Sequence, residues 1–254
     1  MWRSLRIVVL LVVLLTVATG AWFDRRRTSE WQHTLWIGIF PINGDGREAT
    51  DRYIASLARS DFAPLEAFFL REARRYGVPI TQPIRIELYA ALDAVPPRLP
   101  PGANAVQSVI WSLRMRYFAW AAARDTLANV RMFVLYHDPE RTERVPHSLG
   151  LQKGLLGVVY AFAEPEMDGQ NNIVIAHELM HALGASDKYH PASNLPVFPG
   201  GYADPQAQPR YPQRAAEIMA GRLALTAGEA SMPDTLTEVV VGSVSATEIN
   251  WITD

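Results

Sequence analysis

The residues best suited to chemistry are His177-Glu178-Leu179-Met180-His181, which match the pattern H-E-x-x-H. On a helix, positions four apart lie on one face, so two imidazoles so spaced can aim nitrogens at one ion about 2 Å away. Glu178 projects beside that face, where it can take a proton from a water that the ion has made more acidic. Leu179, Ala182 and Leu183 fall on other faces and read as core. With 6 histidines in 254 residues, chance would supply this pattern roughly 0.008 times. The chain has no cysteine, which excludes disulfides, thiolate zinc sites, iron-sulfur clusters and a cysteine nucleophile. Any metal must be held by His, Asp or Glu.

A hydrolytic zinc site needs three protein ligands and one open position. Gly184 and Asp187 follow His181 at +3 and +6. The extended pattern, His177-Glu178-x-x-His181-x-x-Gly184-x-x-Asp187, resembles that of the metzincin zinc metallopeptidases, in the snapalysin-type branch that ends in Asp. The resemblance implies that Asp187 is the third ligand. A glycine that adopts the left-handed conformation can stop the helix and turn the chain back toward the ion. Glu217-Ile218-Met219-Ala220-Gly221 looks like the family's Met-turn, with Met219 as the methionine that packs beneath the ligands without binding the ion. Its plainer reading is a core methionine.

The family commonly has a Tyr two residues after that methionine, but Gly221 stands there. Tyr189, Tyr202 and Tyr211 are the candidates to replace it, each otherwise a packed aromatic. Two other third ligands stay open. Glu217, 36 residues past His181, would make the site similar to that of the gluzincins, and His190 follows His181 by nine. His33, His137 and His147 have no ligand-like spacing with one another. The motif-bearing part of the resemblance covers only Ile173 to Gly221.

These residues imply a zinc metalloendopeptidase acting on a peptide or protein substrate. Zn2+ held by His177, His181 and Asp187 would polarise the scissile carbonyl and the water, with Glu178 as base and then acid. The substrate is expected to lie extended along an edge strand, Gly157 to Ala163, by strand addition. The rival readings are a membrane-tethered, non-catalytic zinc-containing binding module and a zinc hydrolase of a non-peptide amide. An intact Glu178 argues against the first, because a structural site has no need of a base.

The elements that must position this site can be read from periodicity. Strands are expected at Leu35 to Phe40, Ile84 to Tyr89, Val130 to Tyr136 and Gly157 to Ala163, the last near a sheet edge. Helical spacing runs from Thr50 to Tyr76, with a second piece starting at Pro64. An amphipathic, aromatic-rich helix is expected from Val106 to Ala123, and the motif helix from Asn172 to Leu183. Beyond it come a proline-rich segment from Pro191 to Pro212, a short helix near Pro212 to Met219, a β-rich Val239 to Val241 and an amphipathic stretch from Ser245 to Ile252. The fold class is α+β. It has a mixed, mostly parallel sheet with an antiparallel edge strand, the active-site helix beneath it, and a smaller loop-rich C-terminal subdomain. The expected divisions are 1–27, an N-terminal anchor or signal peptide, 33–184, ending in the motif helix, and 185–254, with the third ligand and the Met-turn-like segment.

Composition agrees with a folded domain, at 49% hydrophobic and 20% charged residues. A net charge of -2 creates no field for recruiting nucleic acid. Ile7 to Phe23 is an uncharged, mostly apolar run between Arg3 and Arg6 on one side and Arg25 to Arg27 on the other. As a helix it would rise roughly 26 Å, near the lower limit for spanning hydrocarbon. The domain is therefore expected to be membrane-anchored outside the cytoplasm, or secreted or periplasmic if cleavage follows Ala18-Thr19-Gly20.

Overall fold

In β1 (Leu35–Asn43), nearly every side chain is buried. Such a run suits a strand covered on both faces. It is followed by α1 (Glu48–Ser56), a 3-10 turn (Arg59–Phe62), α2 (Ala63–Arg75), β2 (Ile84–Leu88), α3 (Ala105–Ala123) and β3 (Val130–His137). Next come β4 (Leu149–Leu151), β5 (Leu156–Phe162), α4 (Asp168–Leu183), β6 (Ala216–Glu217), β7 (Leu223–Ala224), β8 (Ala230–Ser231), β9 (Val239–Val240) and α5 (Ser243–Glu248). These elements come from a computed structural model that describes residues 30–252 except 101, 125, 143 and 152–154.

Five strands form one sheet in the order β2-β1-β3-β5-β4. The first four run parallel and β4 pairs with β5 antiparallel. The fold is thus α+β with a mixed, mostly parallel sheet and an antiparallel edge strand. In β1, β3 and β5 alternate side chains serve two separate cores. Ile37 and Ile39 of β1 face α1, α2 and α4, whereas Phe40 and Ile42 face α3.

Several sequence expectations need correction. The strand expected at Gly157 to Ala163 is not a free edge. β5 pairs with β3 along its length, β4 covers its other side over residues 156–158, and beyond that the amides of Tyr160 and Phe162 are taken by the side chains of Ser148 and Asn171. On this side of the sheet the edge strand is β4, which at three residues is too short to show a period-two pattern. No helix forms at Pro212 to Met219. Residues 216 and 217 pair as β6 with β9, and the amides of Met219 and Ala220 turn onto the Glu217 carboxylate. Helix α3 is capped at Asn104, whose side chain accepts from the Gln107 amide. It is apolar on its outward side as well as its inward one, so it lacks the expected polar face.

The residues after Gly184 contain little regular structure but contribute to the larger core, where Ile218, Met219, Val241 and Ile249 join Ala176 and Met180 of α4. Among the described residues, no helix is long and apolar enough to cross a membrane. The segment 1–27 lies outside the described residues.

Candidate metal centre

Helix α4 carries the motif, and its buried face decides where the imidazoles go. Ile173, Ile175, Ala176, Leu179, Met180, Ala182 and Leu183 are all at most 2% exposed. This packing fixes the rotation of the helix and leaves His177 and His181 on the side of the cleft. Asn171 ties the helix to the sheet, since its side chain both accepts from the Phe162 amide and donates to the Phe162 carbonyl. Asn172 donates to the carbonyl of Asp61.

Gly184 ends the helix in the left-handed conformation, with φ 113°, where a Cβ would be strained. The amide of Ala185 then donates to the carbonyl of Met180, and the chain folds back. The returning loop is held from the C-terminal region. Glu248 accepts from the amide and hydroxyl of Ser186 and from Lys188 Nζ, and the Lys188 amide donates to the carbonyl of Met219. Asp187 is suspended between these anchors.

The result is a convergence of three side chains. His177 Nε2 lies 3.2 Å and His181 Nε2 3.1 Å from Asp187 Oδ1. The two rings stand at 85° with centroids 4.7 Å apart. One ligand atom from each of the three residues falls within 4.8 Å of the others, so the group could hold a metal ion. Both Nδ1 atoms are spoken for. His177 Nδ1 donates to the carbonyl of Ile218 at 2.9 Å, and His181 Nδ1 to that of Ala185 at 2.8 Å. Hydrogen bonding of this kind selects the tautomer with a bare Nε2 lone pair, the form that ligates metal.

Glu178 is 5% exposed, and its Oε2 has no hydrogen-bond partner among the described residues. Burial pushes its carboxyl up, against the pull of His177 and His181, and the Gly150 backbone hydrogen-bonds it. An orphaned, desolvated carboxylate oxygen beside two imidazoles is costly as pure structure. The donor set, two nitrogens and one carboxylate oxygen, fits zinc. Burial opposes a charged His177, but Asp187, Glu178 and the Ile218 carbonyl outweigh it and raise its pKa. Burial also opposes a charged Asp187, yet the two histidines hold its carboxyl well below the usual range.

Glu217 sits elsewhere. It is fully buried, with Oε2 accepting from the amides of Met219 and Ala220 and Oε1 from the Gly242 amide and the Ser245 hydroxyl. With both oxygens engaged, it shapes the turn under the site rather than joining the three ligand atoms. Met219 is fully buried in the cluster that contains Ala176 and Met180. His190 is exposed in a turn. Of the tyrosines, Tyr202 and Tyr211 pair through their hydroxyls at 2.7 Å. Tyr189 lies against His177, with ring centroids 6.3 Å apart, and burial followed by the charges of Asp187 and Glu178 raises its pKa.

A cavity of about 220 Å³ opens beside His177, lined among others by His147, Tyr189, Asn194, Arg222 and Met232. His147 and Arg222 gave no signal in the sequence, because they meet only when distant loops close. Gly150 was missed for the same reason. A Cβ there would stand 2.3 Å from the Glu178 carbonyl oxygen and 2.5 Å from His181 Cβ, so only glycine lets edge strand β4 lie this close to α4. His33 is exposed. His137 is buried against Tyr160, away from the three ligand atoms.

No protein-family model matches the chain, and no curated protein does. Among solved structures it is similar to two crystal forms of wild-type OgpA from Akkermansia muciniphila. The first has 14% identity and a TM-score of 0.42, covering 87% of this chain and 62% of that one. The second has 14% identity and a TM-score of 0.38, covering 84% and 58%. The chain therefore spans about three fifths of the length of the structures it matches. Function has to be argued from the site itself.

Proposed function

We propose that this protein is a zinc-dependent endopeptidase of metzincin type, with His177, His181 and Asp187 as ligands and Glu178 as the general base. The observation that carries the reading is the approach of both Nε2 atoms to Asp187 Oδ1, at 3.2 and 3.1 Å. Bound there, zinc would supply an electrophile that polarises a carbonyl and makes a neighbouring water more acidic.

The remaining work falls to the chain. Glu178 Oε2, without a partner among the described residues, accepts the proton of the attacking water and later returns it to the leaving amine. Desolvation raises its pKa toward the range where it can both take and give a proton. The Gly150 backbone orients this carboxylate from β4. Because β4 is the edge strand beside α4, its outer backbone can pair with an extended peptide and lay it across the imidazoles. This replaces Gly157 to Ala163, whose outer side is taken by β4 over residues 156–158 and by the Ser148 and Asn171 side chains at Tyr160 and Phe162. Tyr189, beside His177, is the tyrosine best placed to hydrogen-bond a developing oxyanion. The apolar run at residues 7–23 would hold the domain at a membrane, outside the cytoplasm.

The test combines metal analysis with turnover. Wild-type protein should carry one zinc and cleave members of a peptide library, and Glu178→Gln should keep the zinc and lose cleavage. Stoichiometric zinc without turnover of any peptide would favour a binding module or a non-peptide amide substrate. Turnover retained by Glu178→Gln would remove the assigned base.

A further inference from the structure

Helix α3 presents an apolar face that no other described residue covers. Val106, Val109, Ile110, Leu113, Tyr117 and Trp120 are between 47% and 68% exposed. At 3.6 residues per turn they occupy one sector of roughly 100°. The opposite side of the helix, Trp111, Met115, Ala119 and Ala123, is buried against the sheet. The inward residues account for the packing of α3, and the outward stripe is left to contact something outside the described fold.

Three features of this face indicate what it contacts. First, the sequence from Ala94 to Arg124 contains no Asp or Glu but has Arg98, Arg114, Arg116 and Arg124. Arg114 and Arg116 fall on the two flanks of the stripe, where long cationic side chains can lie along an apolar layer and reach its charged border. Second, Tyr117 and Trp120 sit together on the stripe, their ring centroids 5.9 Å apart. These are the side chains favoured at a membrane interface. Third, the described chain enters the sheet at the same end. The loop after α3 is bonded to the start of β1, with the Asn129 amide donating to the Trp36 carbonyl and the Trp36 amide to Asn129 Oδ1. The apolar run at residues 7–23 precedes that entry.

We propose that the outward face of α3 is a docking surface for an anionic lipid bilayer. Its apolar stripe enters the interfacial layer and Arg114 and Arg116 meet the headgroups. The sheet then lies between the bilayer and α4, because α3 and α4 pack on opposite sheet faces. The His177 cleft is held at a fixed side of the membrane-facing layer. This does not depend on the proposed hydrolysis.

The absence of cysteine makes single-site labelling of the full chain direct. Val109→Cys and Tyr117→Cys, with Glu229→Cys as an exposed control on the β7–β8 turn, would carry an environment-sensitive fluorophore. The full-length proteins are reconstituted into vesicles of phosphatidylcholine with phosphatidylglycerol, and into phosphatidylcholine alone. Labels at 109 and 117 should lose most of their quenching by iodide and gain quenching by doxyl-labelled lipid, more so with phosphatidylglycerol, and the label at 229 should do neither. Arg114→Glu with Arg116→Glu should reduce the lipid quenching, since one guanidinium near an anionic surface changes partitioning about fivefold. Labels at 109 and 117 that stay open to iodide in both vesicles would overturn the proposal. So would labels shielded from iodide yet unreachable by doxyl lipid, which would mean that residues 7–23 or a second copy cover the face.

Discussion

His177 donates from Nδ1 to the carbonyl of Ile218, 41 positions along the chain, at 2.9 Å. The bond joins the motif helix to the turn that carries Met219, and it leaves Nε2 to face Asp187. The imidazole is thus oriented by the segment folded beneath it.

Removal of a ligand should remove the metal. Purified wild-type protein should contain one zinc, and His177→Ala and His181→Ala should contain none. Asp187→Ala should bind more weakly by more than the roughly 10- to 100-fold typical of changes behind the ligands. Metal analysis after dialysis against a chelator measures all four proteins. Unchanged zinc in Asp187→Ala would reassign the third ligand.

Substitution of the base should separate binding from turnover. Glu178→Gln keeps the shape and can still accept the Gly150 hydrogen bond, so zinc content should be unchanged. Its kcat/KM on a cleaved peptide should fall by about 10² to 10⁴, the contribution of a positioned general base.

Glu217 predicts a stability effect distinct from a ligand effect. Glu217→Ala strands the amides of Met219, Ala220 and Gly242 and the Ser245 hydroxyl in a dry interior. Breaking such a buried network typically costs about 3–5 kcal/mol. Denaturant unfolding should show that loss, while the folded fraction still binds zinc.

At Gly150, Ala should act locally. The added Cβ would meet the Glu178 carbonyl oxygen at 2.3 Å, so β4 or α4 must shift. Turnover should fall by at least the roughly 100-fold that a 1 Å misplacement can cause. Sheet content measured by circular dichroism should be little changed, because β4 is only three residues.

Glu248 should make the stability of the loop carrying Asp187 depend on pH. Burial alone would raise its carboxyl, but Lys188 and Ser186 outweigh it and lower the pKa below the ordinary 4.5. In the window between the two values the unfolded chain binds the extra proton, so stability rises with pH there. The contribution is present above 4.5 and lost as pH falls through the depressed folded value. In Glu248→Gln, thermal unfolding should lose that part of the acid dependence.

The sequence by itself determined the features that depend on near neighbours. The spacing of His177 and His181 places two imidazoles on one helical face, and Gly184 supplies the left-handed stop, because both follow from 3.6 residues per turn and the lack of a Cβ. Alternation of apolar and polar residues marked β2, short apolar runs marked β1, β3 and β5, and Pro64 marked the start of α2. Only the tertiary structure decided which groups meet across long stretches of chain. Glu217 and Asp187 both carry carboxylates within reach of the motif by count. Amides and a hydroxyl from two segments, 219–220 and 242–245, occupy the first, while Glu248 presents the second by holding its loop. The sheet edge was misplaced because a three-residue strand has no readable period, and its pairing exists only once residues 149–151 meet 156–158. Burial of both cores likewise decided that the apolar pattern of α3 faces outward as well as inward, since periodicity reports hydrophobicity and packing decides which side is covered.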